Sequence, residues 1–371
     1  MSADLDALRS ALRARFVERD RVVDGLLIAL LARQHVLLLG PPGTAKSLLA
    51  RTLCESLEGA RFFEWLLTKF STPEELFGPV SLQALEAGRY ERITDGKIPE
   101  AHVAFLDEVF KSNSAILNAL LTLMNERMYH EGSAARPVPL QTLVAASNEL
   151  PDEDELAALY DRFLLRFSVV YIEGDNAFAK LLSAAPPPDV PRLSLSTLDE
   201  LRARVAAVEL PPVVTSELVE IRRQLRKEGV TPSDRRFRQA LDVLRASAVL
   251  EGRDRVATGD LDWLRDVLWT DPEDQEKVDA VLGRVATGLD DEAKKLETQA
   301  KEAYAYAIGA WPDETAKSRA ALEAHTKLHD IEQRLGRLIE RAKEHGRDTA
   351  RLESLRDQIG RLQVELLGAG H

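Results

Sequence analysis

The run Gly40-Pro41-Pro42-Gly43-Thr44-Ala45-Lys46-Ser47 places two glycines, a lysine and a hydroxyl in the order that a phosphate-binding turn requires. Its glycines leave backbone amides free to converge on the β- and γ-phosphates, and a helix opening at Lys46 and running on through Leu48 adds positive potential at its N-terminus. Lys46 supplies a mobile cation and Ser47 a hydroxyl for Mg²⁺. Ala45 stands where glycine is commonest; an alanine fits if the local backbone is helical with negative φ. Downstream, His102-Val103-Ala104-Phe105-Leu106-Asp107-Glu108 is an apolar strand ending in two acids. Such a pair divides the labour: Asp107 holds the metal through its water shell, and Glu108 polarises the attacking water. A third strand, running from Thr142, ends at Asn148, whose amide is suited to orient that water against the terminal phosphate.

These groups need a rigid frame. The short β-permissive run His35–Leu39 leads into the glycine-proline turn, and a helix is expected over 46–57. Further apolar runs at 62–66, 103–106, 142–146 and 167–171 alternate with helical stretches such as 114–124. This alternation predicts a parallel sheet with helices on both faces, with Asn148 emerging between the first strand and the acidic one. Two helices, over 4–16 and 22–31, precede it.

The proline-rich stretch 184–191 continues neither helix nor strand, because its prolines lack amide donors and constrain their neighbours. A domain junction is placed there. Beyond it the pattern is helical: Thr197 and Glu200 have capping-box spacing, and helices are expected over 218–225, 237–250 and 261–269. After about residue 271, apolar stripes Leu328, Ile331, Leu335, Leu338 and Leu352, Leu355, Ile359, Leu362, Leu366 step by three and four. They predict an antiparallel hairpin turning between Gly346 and Asp348, with a third helix upstream over 276–310. The domains expected are 1–185, an α/β nucleotide-binding core; 186–272, a helical lid; and 273–371, a helical extension. His325 and His329 lie one turn apart, as in a two-histidine metal site, but without an obvious third ligand they read as surface or packing residues.

Composition narrows the classes. With 371 residues, 61 acids against 49 lysines and arginines and a formal charge of −12, the chain is not built mainly to neutralise phosphate backbones. One cysteine, Cys54, permits neither an internal disulfide nor a cysteine-based zinc site and agrees with a reducing compartment. With no apolar run long enough to cross a bilayer and no signal-peptide core, the expected location is the cytoplasm.

The ordered series of phosphate loop, Asp107-Glu108, Asn148, Asp161-Arg162-Phe163 and Ser233-Asp234-Arg235-Arg236 resembles the AAA+ superfamily, and specifically its MoxR branch, in which alanine before the lysine is usual. Ser71-Thr72-Pro73-Glu74-Glu75-Leu76-Phe77-Gly78-Pro79 and Gly88-Arg89-Tyr90-Glu91-Arg92 are similar to the RavA-type subgroup, without the β-rich insertion of its longer members. The resemblance covers roughly 22–270. It implies an ATPase that uses ATP with Mg²⁺, with Arg162 as the finger reaching into a neighbouring subunit's site and Arg166 as the alternative. Arg235 matches the second sensor, gripping the γ-phosphate from the lid, with Arg236 as the alternative. It further implies a ring, taken as a hexamer, two hairpin insertions within 80–98 and 128–140, and chaperone-like work with a partner containing a von Willebrand factor A domain. The competing readings are a nucleic-acid motor, disfavoured by the acidic charge, and a metal-chelatase motor subunit.

Overall fold

The computed structural model describes every residue except 1–2, 132–133, 152–153, 184–188, 345–348 and 369–371. It divides into two compact units, one comprising Met1–Glu209 and Pro232–Leu268, the other Leu210–Thr231 and Trp269–His371.

The first unit is organised by five strands: β1 (His35–Leu39), β2 (Phe62–Leu66), β3 (Val103–Asp107), β4 (Thr142–Ser147) and β5 (Phe163–Ser168), ordered β2-β3-β4-β1-β5. All neighbours pair in parallel. Every residue of β1 and β4 is buried, as expected of strands covered on both faces. The fifth strand differs from the expected 167–171. It starts as soon as the helix Asp154–Arg162 ends, pairing Phe163 with His35 and Ser168 with Leu39. Residues 170 and 171 run past the sheet and are exposed.

The helices Ala3–Arg15, Asp20–Ala32, Lys46–Glu55 and Ser114–Glu126 lie close to the spans expected. Asp20–Ala32 packs against Leu195–Ala207 and Asp234–Leu250, whose apolar faces it buries. The N-cap of Leu195–Ala207 is Ser194, whose hydroxyl accepts the Thr197 amide at 3.0 Å; Thr197 therefore lies inside the helix and does not start it. Residues Thr258–Asp266 form a 3-10 helix where an α-helix was expected over 261–269. Of the proline-rich junction, 184–188 lie outside the described residues. The helices of 186–272 are shared between the units, Leu195–Ala207 and Asp234–Leu250 in the first and Pro212–Lys227 in the second.

The two insertions differ. Within 80–98 the chain forms a short helix, Leu82–Glu86, capped by Ser81 and ended by the turn at Gly88, with a single antiparallel bridge between Val80 and Arg92. The expected β-hairpin is thus replaced by a helical turn. The second is a hairpin as expected, Met128–Glu131 against Ala134–Pro137, its Gly132-Ser133 tip outside the described residues.

The second unit is helical throughout. Gln275–Ala307, Glu314–Glu344 and Ala350–Gly368 pack together, and Pro212–Lys227 joins the first of them. The expected stripes are its core: Leu328, Ile331, Leu335, Leu338, Leu352, Leu355, Ile359 and Leu366 are buried, with Leu362 packed at the margin. Between them lies an alanine seam of Ala293, Ala300, Ala303, Ala324 and Ala342. The turn assigned to Gly346 and Asp348 lies outside the described residues.

Candidate functional site

Three adjacent parallel strands end at the same edge of the sheet, and each delivers one group. The turn after β1 carries Lys46, the end of β3 carries Asp107 and Glu108, and β4, between them, leads to Asn148. Gly40 opens the turn at φ 148°, where an added Cβ would stand 2.0 Å from the Val169 carbonyl; glycine is obligatory there. Its amide donates to Ser147 O at 3.1 Å, tying the turn to β4. Thr44 is buried and its hydroxyl donates to Pro41 O at 3.0 Å, closing the turn over Pro42 and Gly43.

Ala45 departs from the expectation of negative φ. It occupies the left-handed region at φ 67° and ψ 22° immediately before the helix that begins at Lys46. An L-residue there costs roughly 1–2 kcal/mol, so the turn imposes its shape on alanine as it would on glycine. Ser47 and the exposed Leu48 then form the first helical turn.

Lys46 is buried, and its Nζ donates to Gly40 O at 2.6 Å and Pro41 O at 2.8 Å, with Asn148 Oδ1 at 3.5 Å. Burial lowers the pKa of this ammonium, while the carboxylates of Asp107 and Glu108 act in the opposite sense. On its other side Asn148 donates from Nδ2 to Glu108 Oε1 at 2.9 Å. A chain of polar contacts therefore runs from Lys46 through Asn148 to Glu108. Asp107 accepts the Glu108 amide at 3.0 Å, and Glu108 itself is held at φ 53°. Its remaining oxygen faces Lys111 Nζ at 3.3 Å. The hydroxyl of Ser47 and the carboxylate of Asp107 are hard oxygen donors of the kind that suits Mg²⁺.

Beside Gly43, Thr44 and Ala45 opens a cavity of about 480 Å³ with Phe16, Val17, Leu48, Tyr171 and Phe178 on its walls. The sequence offered no base-reading residue, and this apolar slot is formed by segments far apart in the chain.

The arginines occupy the other edge, where the strands begin. Arg166 is buried; it donates to Phe163 O at 3.1 Å and Tyr160 O at 3.0 Å, and its guanidinium lies 3.8 Å from the Tyr160 ring centroid. Arg236 is equally buried and donates to Phe163 O, Leu164 O and Val267 O, while pairing with Asp161 at 3.2 Å. Both alternatives weighed for catalytic roles are thus structural, since freeing either would strand several carbonyls. Their neighbours are accessible. Arg162 ends its helix half-buried, its Nε without a hydrogen-bond partner, and burial followed by the nearby Arg235 lowers its pKa. Arg235 keeps 37% of its side chain exposed and approaches Asp161 at 3.5 Å.

Arg235 therefore does not face its own phosphate turn, contrary to a reading in which it grips the γ-phosphate of the same chain. The register sets Phe163 level with His35, at the start of β1, and β1 advances about 13 Å to Leu39 before the turn begins. The structure thus joins Lys46, Asn148 and the acidic pair at one edge and Arg162 with Arg235 at the other.

The chain was also compared with known proteins. A family model described as the MoxR domain of MoxR–vWA–β-propeller ternary systems matches residues 3–192, and an AAA lid domain matches 213–282. Two uncharacterised proteins of Methanocaldococcus jannaschii are 39% and 41% identical, over 76% and 73% of this chain and 76% and 71% of their own. The chaperone MoxR1 of Mycobacterium tuberculosis is 28% identical over 56% of each chain. In fold the chain is similar to a putative ATPase from Cytophaga hutchinsonii, with a TM-score of 0.62 at 20% identity, covering 76% of this chain and 93% of that one. With more than half its length matched by that domain and the expected groups gathered at one edge of an αβα sheet, the chain belongs to the MoxR family of AAA+ ATPases.

Proposed function

We propose that this chain hydrolyses ATP in a ring of identical subunits, a hexamer in the reading adopted here, each site completed by the neighbour, and uses the cycle to remodel a protein complex. The supporting observation is the division of the site between two edges: Lys46, Asn148 and Glu108 form one contact chain, whereas Arg162 and Arg235 lie about a strand's length behind it. A triphosphate over residues 40–47 would meet the turn's amides and Lys46, its adenine fitting the apolar slot of Phe16 and Tyr171. When bound through Ser47 and Asp107, Mg²⁺ would neutralise phosphate charge. Glu108 takes the proton from the attacking water, which Asn148 orients. Arg162 and Arg235 of one subunit then stabilise the charge developing in the site of the next.

The match to a domain of MoxR–vWA–β-propeller systems supports a von Willebrand factor A partner and adds a β-propeller protein as a second. Similarity in the 71–92 segment and the absence of room for a β-rich insertion support placement near the RavA-type subgroup, working in the cytoplasm. Among the described residues no helix is long and apolar enough to cross a membrane.

Mixing two inactive variants tests the shared site. Arg162→Ala and Glu108→Gln are each expected to lose turnover by on the order of a hundredfold or more. Together they should recover part of it, because some interfaces in a mixed ring join an intact Glu108 to an intact Arg162. No recovery at any ratio would remove the shared site.

A further inference from the structure

Glu108 is held at both oxygens. Asn148 takes Oε1 at 2.9 Å, and Lys111 takes Oε2 at 3.3 Å. The second contact follows from the backbone: the positive φ of Glu108 turns the chain into the 3-10 helix Val109–Lys111, which brings the lysine back over the carboxylate three residues earlier. Glu108 keeps only 16% of its side chain exposed, whereas Lys111 keeps 49%. The lysine is the accessible partner.

Lys111 also lines a second cavity, of about 230 Å³, on the side of the 3-10 helix where Lys69 stands. Its apolar lining is Phe110, Leu117 and Leu156, and Lys69, Lys111 and Ser112 contribute polar groups. Ser112 Oγ is buried with no hydrogen-bond partner, and Lys69 makes no ion pair or hydrogen bond among the described residues. Two ammonium groups and an unsatisfied hydroxyl beside apolar walls match a carboxylate carried next to an apolar side chain.

We propose that this cavity receives an acidic side chain from a polypeptide outside the chain, and that the incoming carboxylate draws Lys111 away from Glu108, releasing the glutamate to act on water. The inference rests on the reading of Glu108 as the group that activates water. Lys111 is then a positioning residue that restrains turnover until a client is present, linking client capture to hydrolysis through one shared ammonium. The tie is half-exposed, so its release corresponds to a change of about threefold to tenfold in rate.

The test uses the full chain with two probes, the capped dipeptide acetyl-Leu-Glu-amide and its acetyl-Leu-Gln-amide control. The glutamate probe should raise wild-type kcat severalfold with KM for ATP unchanged, and the glutamine probe should not. Lys111→Ala should show the raised kcat without any probe and no further response, and Lys111→Arg should restore the low basal rate. Lys69→Glu should keep the basal rate and lose both probe binding, measured by calorimetry, and stimulation. A Lys111→Ala kcat at or below wild type, equal responses to the two probes, or undiminished stimulation in Lys69→Glu would each overturn the proposal. A wild-type chain that binds the glutamate probe but turns over no ATP strikes the release step and the hydrolysis reading, whereas turnover without probe binding strikes the cavity alone.

Discussion

Where the strands of the first unit end, Gly40, Gly43, Ala45 and Glu108 all have positive φ, and their side chains and carbonyls contact one another across gaps that a ligand or water can enter. Where the same strands begin, Arg166, Arg236 and His35 are buried and bonded to backbone carbonyls and amides. The first edge holds unfavourable backbone that the surrounding sheet enforces. At the second, polar groups are saturated and fix the sheet against its neighbouring helices. The exposed arginines of the second edge, Arg162 and Arg235, each adjoin an anchored element: Arg162 precedes β5, and Arg235 precedes Arg236 in the chain. A rigid mounting is what a group needs if it is to enter another subunit's site at a fixed angle.

The adjacent pair Arg235 and Arg236 provides the strongest way to break this contrast. Arg236→Leu is expected to destabilise the chain by about 3–5 kcal/mol, because it leaves Asp161 and three buried carbonyls without their donor. Arg235→Ala should change stability by less than about 0.5 kcal/mol and lower turnover by on the order of a hundredfold. Denaturant titration and ATPase assays on the same preparations check both. Equal stability losses, or a folded and active Arg236→Leu, would dissolve the distinction between anchor and reaching residue.

That distinction marks the limit of what the sequence reveals. The turn at 40–47, the acids at 107 and 108 and the asparagine at 148 are legible because each sits at the end of an apolar strand, where the local pattern fixes both the element and its exit. The stripes from Leu328 to Leu366 are legible for a similar reason, since helical periodicity names the buried face without knowledge of the partner. Choosing Arg162 over Arg166, or Arg235 over Arg236, depends on which guanidinium meets the carbonyls of β5, a contact across some 70 residues that no local pattern encodes. The same holds for the slot formed by Phe16, Tyr171 and Phe178. Lys111 had a usable signal, standing three residues after Glu108, but only the left-handed turn at Glu108 brings the two together. The start of β5 was displaced because the helix Asp154–Arg162 runs directly into it, without the glycine or proline that marks the other boundaries.

His35 probes the anchored edge more gently. It is buried, its Nδ1 accepting the Leu143 amide at 3.0 Å and its Nε2 facing Met124 O at 3.2 Å, and burial pushes its pKa down to about 3, with Arg127 acting in the same sense. The folded chain thus keeps the ring neutral, while the unfolded chain takes up a proton near its ordinary value of 6.5. Stability from this group is complete above that value and declines as pH falls from 6.5 towards 3, by at most about 1.4 kcal/mol per unit. His35→Gln should flatten that part of the profile, read from urea midpoints between about pH 4.5 and 7. An unchanged slope would mean that the acid sensitivity resides in other groups.

Ala45 tests the strained edge with the smallest change. At φ 67° its methyl group is tolerated only because the turn is fixed on both sides, by the Gly40 amide on Ser147 and by the helix that starts at Lys46. Ala45→Gly removes the left-handed penalty but gives the unfolded chain more freedom, and the two effects leave a net gain of no more than about 1 kcal/mol. In a domain of this size that is a rise of about 2–4 °C in Tm. The methyl group also borders the apolar slot, so the same substitution separates strain from contact. If strain dominates, Tm rises and nucleotide affinity stays level. A fall in both would show that alanine is retained for the surface it gives the slot, and that the backbone at this edge is less strained than its φ implies.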